Sequence, residues 1–507
     1  MRHIIKHLTL LAMALLLAAC AKRLDLAPIS SVGEGNFWQT GDQVEAFVSG
    51  LHSRFRTHVQ RFLYLGEMRA DIHGTDPGTN SAFTGESTAG NERLWQNTLT
   101  LDAPGVSGYG GFYSNINQLN LLISKMKTST VMTTSNRNYY LGIAHGIRAF
   151  YYFQLYVSWG KVIITTEPTQ EFDISNLAKA ASSEADVLKL IKDDIETSLT
   201  SFGSDYSFRQ GKGYWSKAAS LMLKADYHLW LAHRAGGTAG AGTAKAALVD
   251  IQTNIPALSL QSNFGNIFAT TNRGNSEVIF ASRHLLNEAT LPVQQHTPQN
   301  AFIINFHDSA QRRRFDATDN WGGPYFLSMR SSTFRRFNDR DTRKWATIQP
   351  CYTLSGTTYR LSGVFPSKYK GEQAAGVRAY TNDYIIYRHA DLLLMLAEAK
   401  VLLGENPAAE INAVRQRAFG AAYVAATDAF PNKPGDSNAK DAILEERYLE
   451  FIMEGKRWLD LRRFGDSYVF RFTNIRAAEA YKVLWPVDRN TLTNNKLLEQ
   501  TPGYPKF

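Results

Sequence analysis

The sequence predicts a mostly α-helical protein built from paired helices, with long loops and a few short strands. Three observations carry this reading. Apolar residues recur at helical spacing through most of the chain. Capping and breaking residues bound those stretches: Thr40 lies three residues before Gln43 in a capping-box pattern, Gly404 follows an apolar run, and Pro407 opens the next. Segments rich in Gly, Ser, Thr and Asn, above all residues 73–111, interrupt the helical pattern.

In chain order, the first helix starts near Thr40, with Val44, Phe47, Val48 and Leu51 on one face. Residues 73–111 follow as a loop; loops of that length are uncommon inside a compact body and are often functional. Helices resume at 112–126, where Ile116, Leu119 and Ile123 share a face, and at 139–159. Residues 181–199 and 214–233 form a further pair, and GGTAGAGTAK (236–245) reads as a mobile connection. From about 255 to 385 the pattern loosens, with SEVIFASR (276–283) as a strand and Trp321-Gly-Gly-Pro as loop. Helices return at 387–403, at 407 to about 418, and as one long helix at 441–464. No clean repeat period is present, so the helical-repeat reading rests on the pairing of helices.

Charges inside apolar helices must find partners. Glu398 and Asp391 sit in a helix that is apolar nearly all round, and Arg148 in another. The expectation is that Arg148 or another scaffold arginine pairs with Glu398 or Asp391. Glu446, Glu450 and Glu454 line up at i,i+4, which repels unless cations intervene. Arg447 with Glu450 and Arg457 with Glu454 are the nearest pairs, within an ion network gripping neighbouring helices. Trp38, Trp159 and Trp458 fall in helical stretches and are expected in the core.

The net charge is +9, or +7 once Arg2 and Lys6 leave with residues 1–19 (9 − 2). The basic residues are scattered, with Arg312-Arg313-Arg314 as a short run, so nucleic acid is not an expected partner. Arg2 and Lys6 precede an apolar stretch, 8–19, shorter than the roughly 20 residues that span a bilayer core. Residues 1–19 therefore read as a signal peptide. Leu17-Ala18-Ala19-Cys20 resembles the bacterial lipobox. That resemblance implies a diacylglycerol on the Cys20 sulfur, cleavage before it, and acylation of the new amine; two or more chains anchor stably where one does not. Residues 20–35 then form a lipidated tether. Cys351 is left without a disulfide partner, and the two cysteines spell no metal site.

Five ordered stretches resemble one family: NFWQTGDQVEAFVSGLHSRFR (36–56), IRAFYYFQLYVSWGKVIITTEP (147–168), YRHADLLLMLAEAKVLLGE (387–405) with INAVRQRAF (411–419), ILEERYLEFIMEGKRWLDLRRFG (443–465) and LWPVDRNTLTNNKLLEQTPGY (484–504). They are similar to the SusD/RagB family of outer-membrane nutrient-binding lipoproteins. The resemblance implies a single large SusD-like domain with tetratricopeptide-like helix pairs over 36–507. Its parts would be a helical 36–235 with the ligand loop 73–111, a loop-rich 236–385, and a helical 386–507. It also implies a non-enzymatic lid over a SusC-like TonB-dependent transporter, anchored at the outer membrane by Cys20 and facing the exterior. No cofactor, metal or catalytic residue is implied. Ala21-Lys22-Arg23 depart from the acidic residues that surface-exported relatives carry after the lipidated cysteine.

A sugar presents C–H faces to aromatic planes and hydroxyls to polar side chains, and such sites sit on long loops of a rigid body. Family sites are assembled from two loop regions. Here these supply Asp71, Asp76, Trp95, Asn97 and Tyr109 from the first, and Arg314, Trp321 and Tyr325 from the second. Trp95 and Trp321 are the expected stacking platforms, with Asn97 and Asp71 as hydroxyl partners. Oligosaccharide is the expected ligand and peptide the alternative. An enzyme or a structural surface protein are the other classes; there is no GxSxG, HExxH or phosphate loop, and Gly465-Asp466-Ser467 follows a helix rather than a strand.

Overall fold

The computed structural model describes residues 37–75, 89–106, 109–169, 178–310 and 313–507. The signal, lipidation and tether assignments at 1–35, and Asp76 and Arg312, lie outside them. Thr40 does cap the first helix: its side chain accepts from the Gln43 amide while the Gln43 side chain reaches back, which starts α1 (Gly41–Arg56). A short turn leads to α2 (Val59–Glu67), and the first loop region holds one helical turn, α3 (Glu92–Gln96). Four long helices follow: α4 (Gly111–Thr128), α5 (Thr134–Trp159), α6 (Glu184–Phe202) and α7 (Lys217–Ala235). Thr133, Ser183 and Ser216 supply the N-caps of the last three.

The expected mobile connection at 236–245 is instead the start of α8 (Thr238–Asn254). Gly236, at φ 67, ends α7, and a two-residue turn reverses the chain. Gly240 is required inside α8 because a β-carbon there would come 2.9 Å from the His228 carbonyl oxygen. Helices α4 to α8 each pack against the next in sequence, which is the paired-helix stack read from the sequence.

The looser middle holds α9 (Asn300–Ile303), α10 (Ser331–Arg336), α11 (Thr342–Thr347) and the strands. β1 (Val278–Ser282) falls inside the expected 276–283 strand. β2 (Ile348–Ser355) and β3 (Thr358–Pro366) form one hairpin, and β4 (Glu372–Ala374) and β5 (Val377–Ala379) another. β6 (Tyr384–Arg388) pairs antiparallel with β1, Ser282 opposite Tyr384, and brings the chain back to the helical stack. It runs into α12 (His389–Leu402), which packs on α7, α8, α13 (Ala408–Phe419) and α15 (Ala439–Phe451). A short α14 (Ala425–Asp428) lies between the last two.

The expected single helix at 441–464 is broken. α15 stops at Phe451, and α16 (Arg457–Phe464) begins after a tight turn with Met453 at φ 68 and Gly455 at φ 67. The turn aims two backbone amides at one buried carboxylate: Glu67 accepts from Met453 N at 2.9 Å and Gly455 N at 3.1 Å. Gly66 and Gly455 meet so closely that a β-carbon on Gly66 would overlap the Gly455 carbonyl. Two more helices, α17 (Asp466–Phe472) and α18 (Arg489–Asn494), close the chain.

The three glutamates at and just beyond the end of α15 are all buried. Glu446 pairs with Arg343 (2.7 Å) and Arg415 (2.9 Å). Glu450 pairs with Arg343 (2.9 Å), Arg388 (2.6 Å) and Arg417. Glu454 pairs with Arg388 (2.9 Å) and Lys368 (2.7 Å). The network thus exists, but its cations come from other elements. Arg447 turns to Asp391 (2.8 Å) and Asp460 (2.9 Å), and Arg457 to Asp71 (2.7 Å), while the glutamates nearest them in sequence pair elsewhere. Glu398 is held by Arg463 (2.8 Å), while Arg148 pairs with Asp194 (2.7 Å).

Burial alone would raise the pKa of Glu446, but Arg343 and Arg415 outweigh it and hold the carboxyl at about 2. Against the same burial cost, Lys456 and Arg447 hold Asp391 at about 2, and Arg463 and His233 hold Glu398 at about 2. Carboxyls whose folded pKa lies below the ordinary 3.8–4.5 stabilise the fold fully above that range and lose the contribution as pH falls toward 2. The urea midpoint is therefore expected to drop steeply between about pH 5 and pH 2.5; a flat midpoint over that range would contradict the network. Arg388→Met, which strips a cation from Glu277, Glu450 and Glu454, is expected to cost about 3–5 kcal/mol at neutral pH by the same measurement.

Candidate ligand-binding face

The two loop regions picked from the sequence meet in space. His73 and Met329 form an isolated antiparallel bridge. Around it, Gly74 N donates to Ser328 O (2.9 Å) and Arg330 N to Ile72 O (3.1 Å). The Arg330 guanidinium donates to His73 O (2.9 Å), and Thr333 Oγ1 to Ile72 O (3.0 Å). Backbone pairing of this kind fixes the relative position of two otherwise irregular segments.

The base of the first segment hangs on Arg69. It is fully buried and lies between the rings of Trp458 (4.5 Å) and Trp485 (4.9 Å). Its guanidinium donates to Asn97 Oδ1 (2.8 Å), Leu484 O (3.1 Å) and Lys482 O. Burial brings its pKa down to about 10, which leaves it charged at neutral pH. Asn97 is thus an acceptor for Arg69. It is also the left-handed C-cap of α3, at φ 54, a conformation asparagine tolerates better than most residues. It is 2% exposed and reaches no solvent-facing hydroxyl site.

Trp95 and Trp321 do not offer the open planes that stacking requires: they are 5% and 6% exposed. Trp95 lies against Gly74 at the loop junction. Trp321 packs edge-on against Phe365 (5.0 Å) with the Arg378 guanidinium 4.2 Å over its ring. Tyr109 and Tyr325 are each 1% exposed. Tyr109 Oη accepts from Ile163 N (3.1 Å), and Tyr325 Oη donates to Val364 O and accepts from Met329 N (3.1 Å). The physical reason is common to all four. Segments of Gly, Ser and Thr have little apolar area, so their few aromatic rings are what fastens them to the body.

Asp71 is half-buried and spoken for by Arg457 (2.7 Å) and Arg336 (3.1 Å), which, against the cost of burial, hold its pKa below the usual carboxylate value. The two arginines line a charged cleft of about 400 Å³ with Glu445 and Arg471. Arg314 is exposed, its Nε donating to Ile304 O (2.8 Å). Trp159 and Trp458 are core, as expected. Trp38 is not: it is half-buried, at φ 73, and packs on Phe47 (4.6 Å) at the edge of an apolar groove. The tryptophan that does face solvent is Trp345, 46% exposed, beside a hollow of about 530 Å³. The sequence does not single it out, because RKWATIQP carries no loop signature.

Likeness to known proteins extends over nearly the full chain. The sequence profile of the SusD family matches residues 294–482. SusD-like protein P38 of Formosa agariphila is 27% identical over 530 residues, spanning 96% of each chain. Among solved structures, B. fragilis NanU superposes with a TM-score of 0.86 at 40% identity, over 95% of this chain and all of its own. A SusD superfamily protein of Bacteroides vulgatus gives 0.83 at 36% identity, over 92% of this chain and all of its own. A laminarin-binding SusD-like protein, at 20% identity and 0.69, shares the fold.

Because the loop aromatics are anchors, Trp95→Ala and Trp321→Ala are expected to lower stability by about 3–5 kcal/mol each. Asn97→Ala, which strands the buried Arg69 donor, is expected to cost about 1–3 kcal/mol. Denaturant titration reads all three; wild-type midpoints for both tryptophan variants would mean the rings are not fastening the loops.

Proposed function

We infer, from the premise that this chain belongs to the SusD family, that it is a surface protein that captures oligosaccharides and does not cleave them. The observation that carries the reading is full-length likeness to SusD-superfamily structures at 36–40% identity. The laminarin-binding relative on the same fold supports a glycan as the ligand class. The body is suited to capture. A helical stack with a deeply buried ion network holds two joined loop regions in one place, and rigid mounting of a binding face lowers the entropy cost of association.

Attachment in this reading is through acylated Cys20, with residues 20–35 as the tether, at the outer face of the outer membrane. No helix among the described residues is long and apolar enough to cross a membrane. The partner in this reading is a SusC-like TonB-dependent transporter, which receives the oligosaccharide for import.

Two measurements test this. The unacylated mature chain is expected to bind oligosaccharide saturably by calorimetry while releasing no new reducing ends over hours. Turnover would move the protein to the enzyme class, and saturable binding of peptides alone would replace the ligand class. In cells, Cys20→Ser is expected to shift the protein out of the membrane fraction and to lose co-purification with a TonB-dependent barrel; retention of both would remove the anchor from the scheme.

A further inference from the structure

Seven of the nine tryptophans are buried, Trp38 is half-buried, and Trp345 alone is exposed. Trp345 does not stand alone on the surface: a polar hollow opens beside it. The mounting of Trp345 is firm. α11 is capped by Asp341, whose side chain accepts from Arg343 N, and it runs directly into β2. Arg343, two residues before Trp345, is fully buried among Asp341, Glu446 and Glu450, so the ion network clamps the helix that carries the exposed ring. Phe334 buttresses the indole edge-on at 5.4 Å, and its Nε1 donates to Asp339 O (3.4 Å). The N–H is thereby used within the protein.

The hollow beside Trp345 is polar on its other side. It is lined by Asp308, Ser309, Gln349 and Tyr352, and its volume of about 530 Å³ lies within the roughly 300–1,000 Å³ typical of small-ligand clefts. The 308–309 segment is fixed against β2: His307 N donates to Tyr352 O (2.8 Å) and Tyr352 N to His307 O (3.0 Å). Gln349 Nε2 donates to Asp308 O (2.9 Å) and Pro350 O (3.1 Å). Asp308 accepts from Ser309 Oγ at 3.3 Å, with the Arg313 guanidinium 4.0 Å away. The Lys344 ammonium, paired with Asp339 (2.5 Å), lies 5.4 Å from the centroid of the Trp345 ring.

We propose that this hollow is an oligosaccharide subsite in which a neutral sugar ring lies on Trp345 and its hydroxyls are read by Asp308 and Gln349. The proposal rests on the capture reading above. A carboxylate acceptor pairs with a vicinal hydroxyl donor, which suits an uncharged ring whose polar groups are hydroxyls.

The test uses the unacylated mature chain carrying Cys20→Ser, with maltohexaose, cellohexaose and laminarihexaose as probes, by calorimetry and tryptophan fluorescence. At least one hexaose is expected to bind. For that sugar, Trp345→Ala is expected to lower affinity tenfold or more while the variant keeps the wild-type circular dichroism spectrum. Trp345→Phe is expected to recover part of the loss, and Trp38→Ala to bind as wild type. Bound hexaose is also expected to slow oxidation of Trp345 by N-bromosuccinimide. Equal affinity in wild type and Trp345→Ala overturns the subsite and leaves capture standing. Failure of the wild type to bind any of the three hexaoses overturns the neutral-sugar subsite, while saturable binding of another oligosaccharide keeps capture standing.

Discussion

The buried row of glutamates along α15 and its end is the constraint around which the rest is arranged. Three carboxylates one turn apart repel one another, and each must be supplied with cations brought from elsewhere. Arg343 comes from α11, Arg388 from the end of β6, Arg415 and Arg417 from α13, and Lys368 from the segment after β3. The requirement therefore ties the loop-rich middle of the chain to the C-terminal helices. Net stabilisation from buried pairs is often small, because desolvation consumes most of the attraction. What the lattice supplies is position: each arginine has a narrow set of places where its donors are matched.

A second cationic anchor works without any carboxylate. Arg69 sits between two indole rings and gives its donors to carbonyl oxygens and Asn97. Its acceptors lie on α3's cap and on the 482–484 segment, so one side chain joins the first loop region to the end of the chain. The His73–Met329 bridge then joins that loop region to the second. Position is thus passed from α15 through the loops by a few directional contacts.

The sequence made the helical stack legible because its signals are local. Thr40 with Gln43 and the apolar faces of α4 and α5 are read within a few residues of each other. Two elements escaped for the opposite reason. Gly240 looks like a flexible residue in sequence, but its role is set by His228 on the neighbouring helix. The break after Phe451 answers to Glu67, hundreds of residues earlier. The pairing of Glu398 and Asp391 with scaffold arginines was foreseeable, since buried charge demands it; which arginine serves each was not. The loop aromatics were legible as important, yet whether a ring fastens a loop or faces solvent depends on packing that spacing does not encode.

That division between fastening and facing bears on how a capture surface can work. A ring that anchors a loop gains area by being covered, roughly 25 cal/mol for each Å² removed from water, and loses that gain if it turns outward to a ligand. A fold that used Trp95 or Trp321 in both roles would loosen its own binding face on each encounter. Separating the roles avoids this. Trp95, Trp321, Tyr109 and Tyr325 are committed to the body, and Trp345, on the helix that Arg343 fastens, stays exposed. A single mounted plane with a few acceptors gives modest affinity, and modest affinity means fast release. In the capture role proposed above, where cargo would be handed on rather than kept, that is the useful regime.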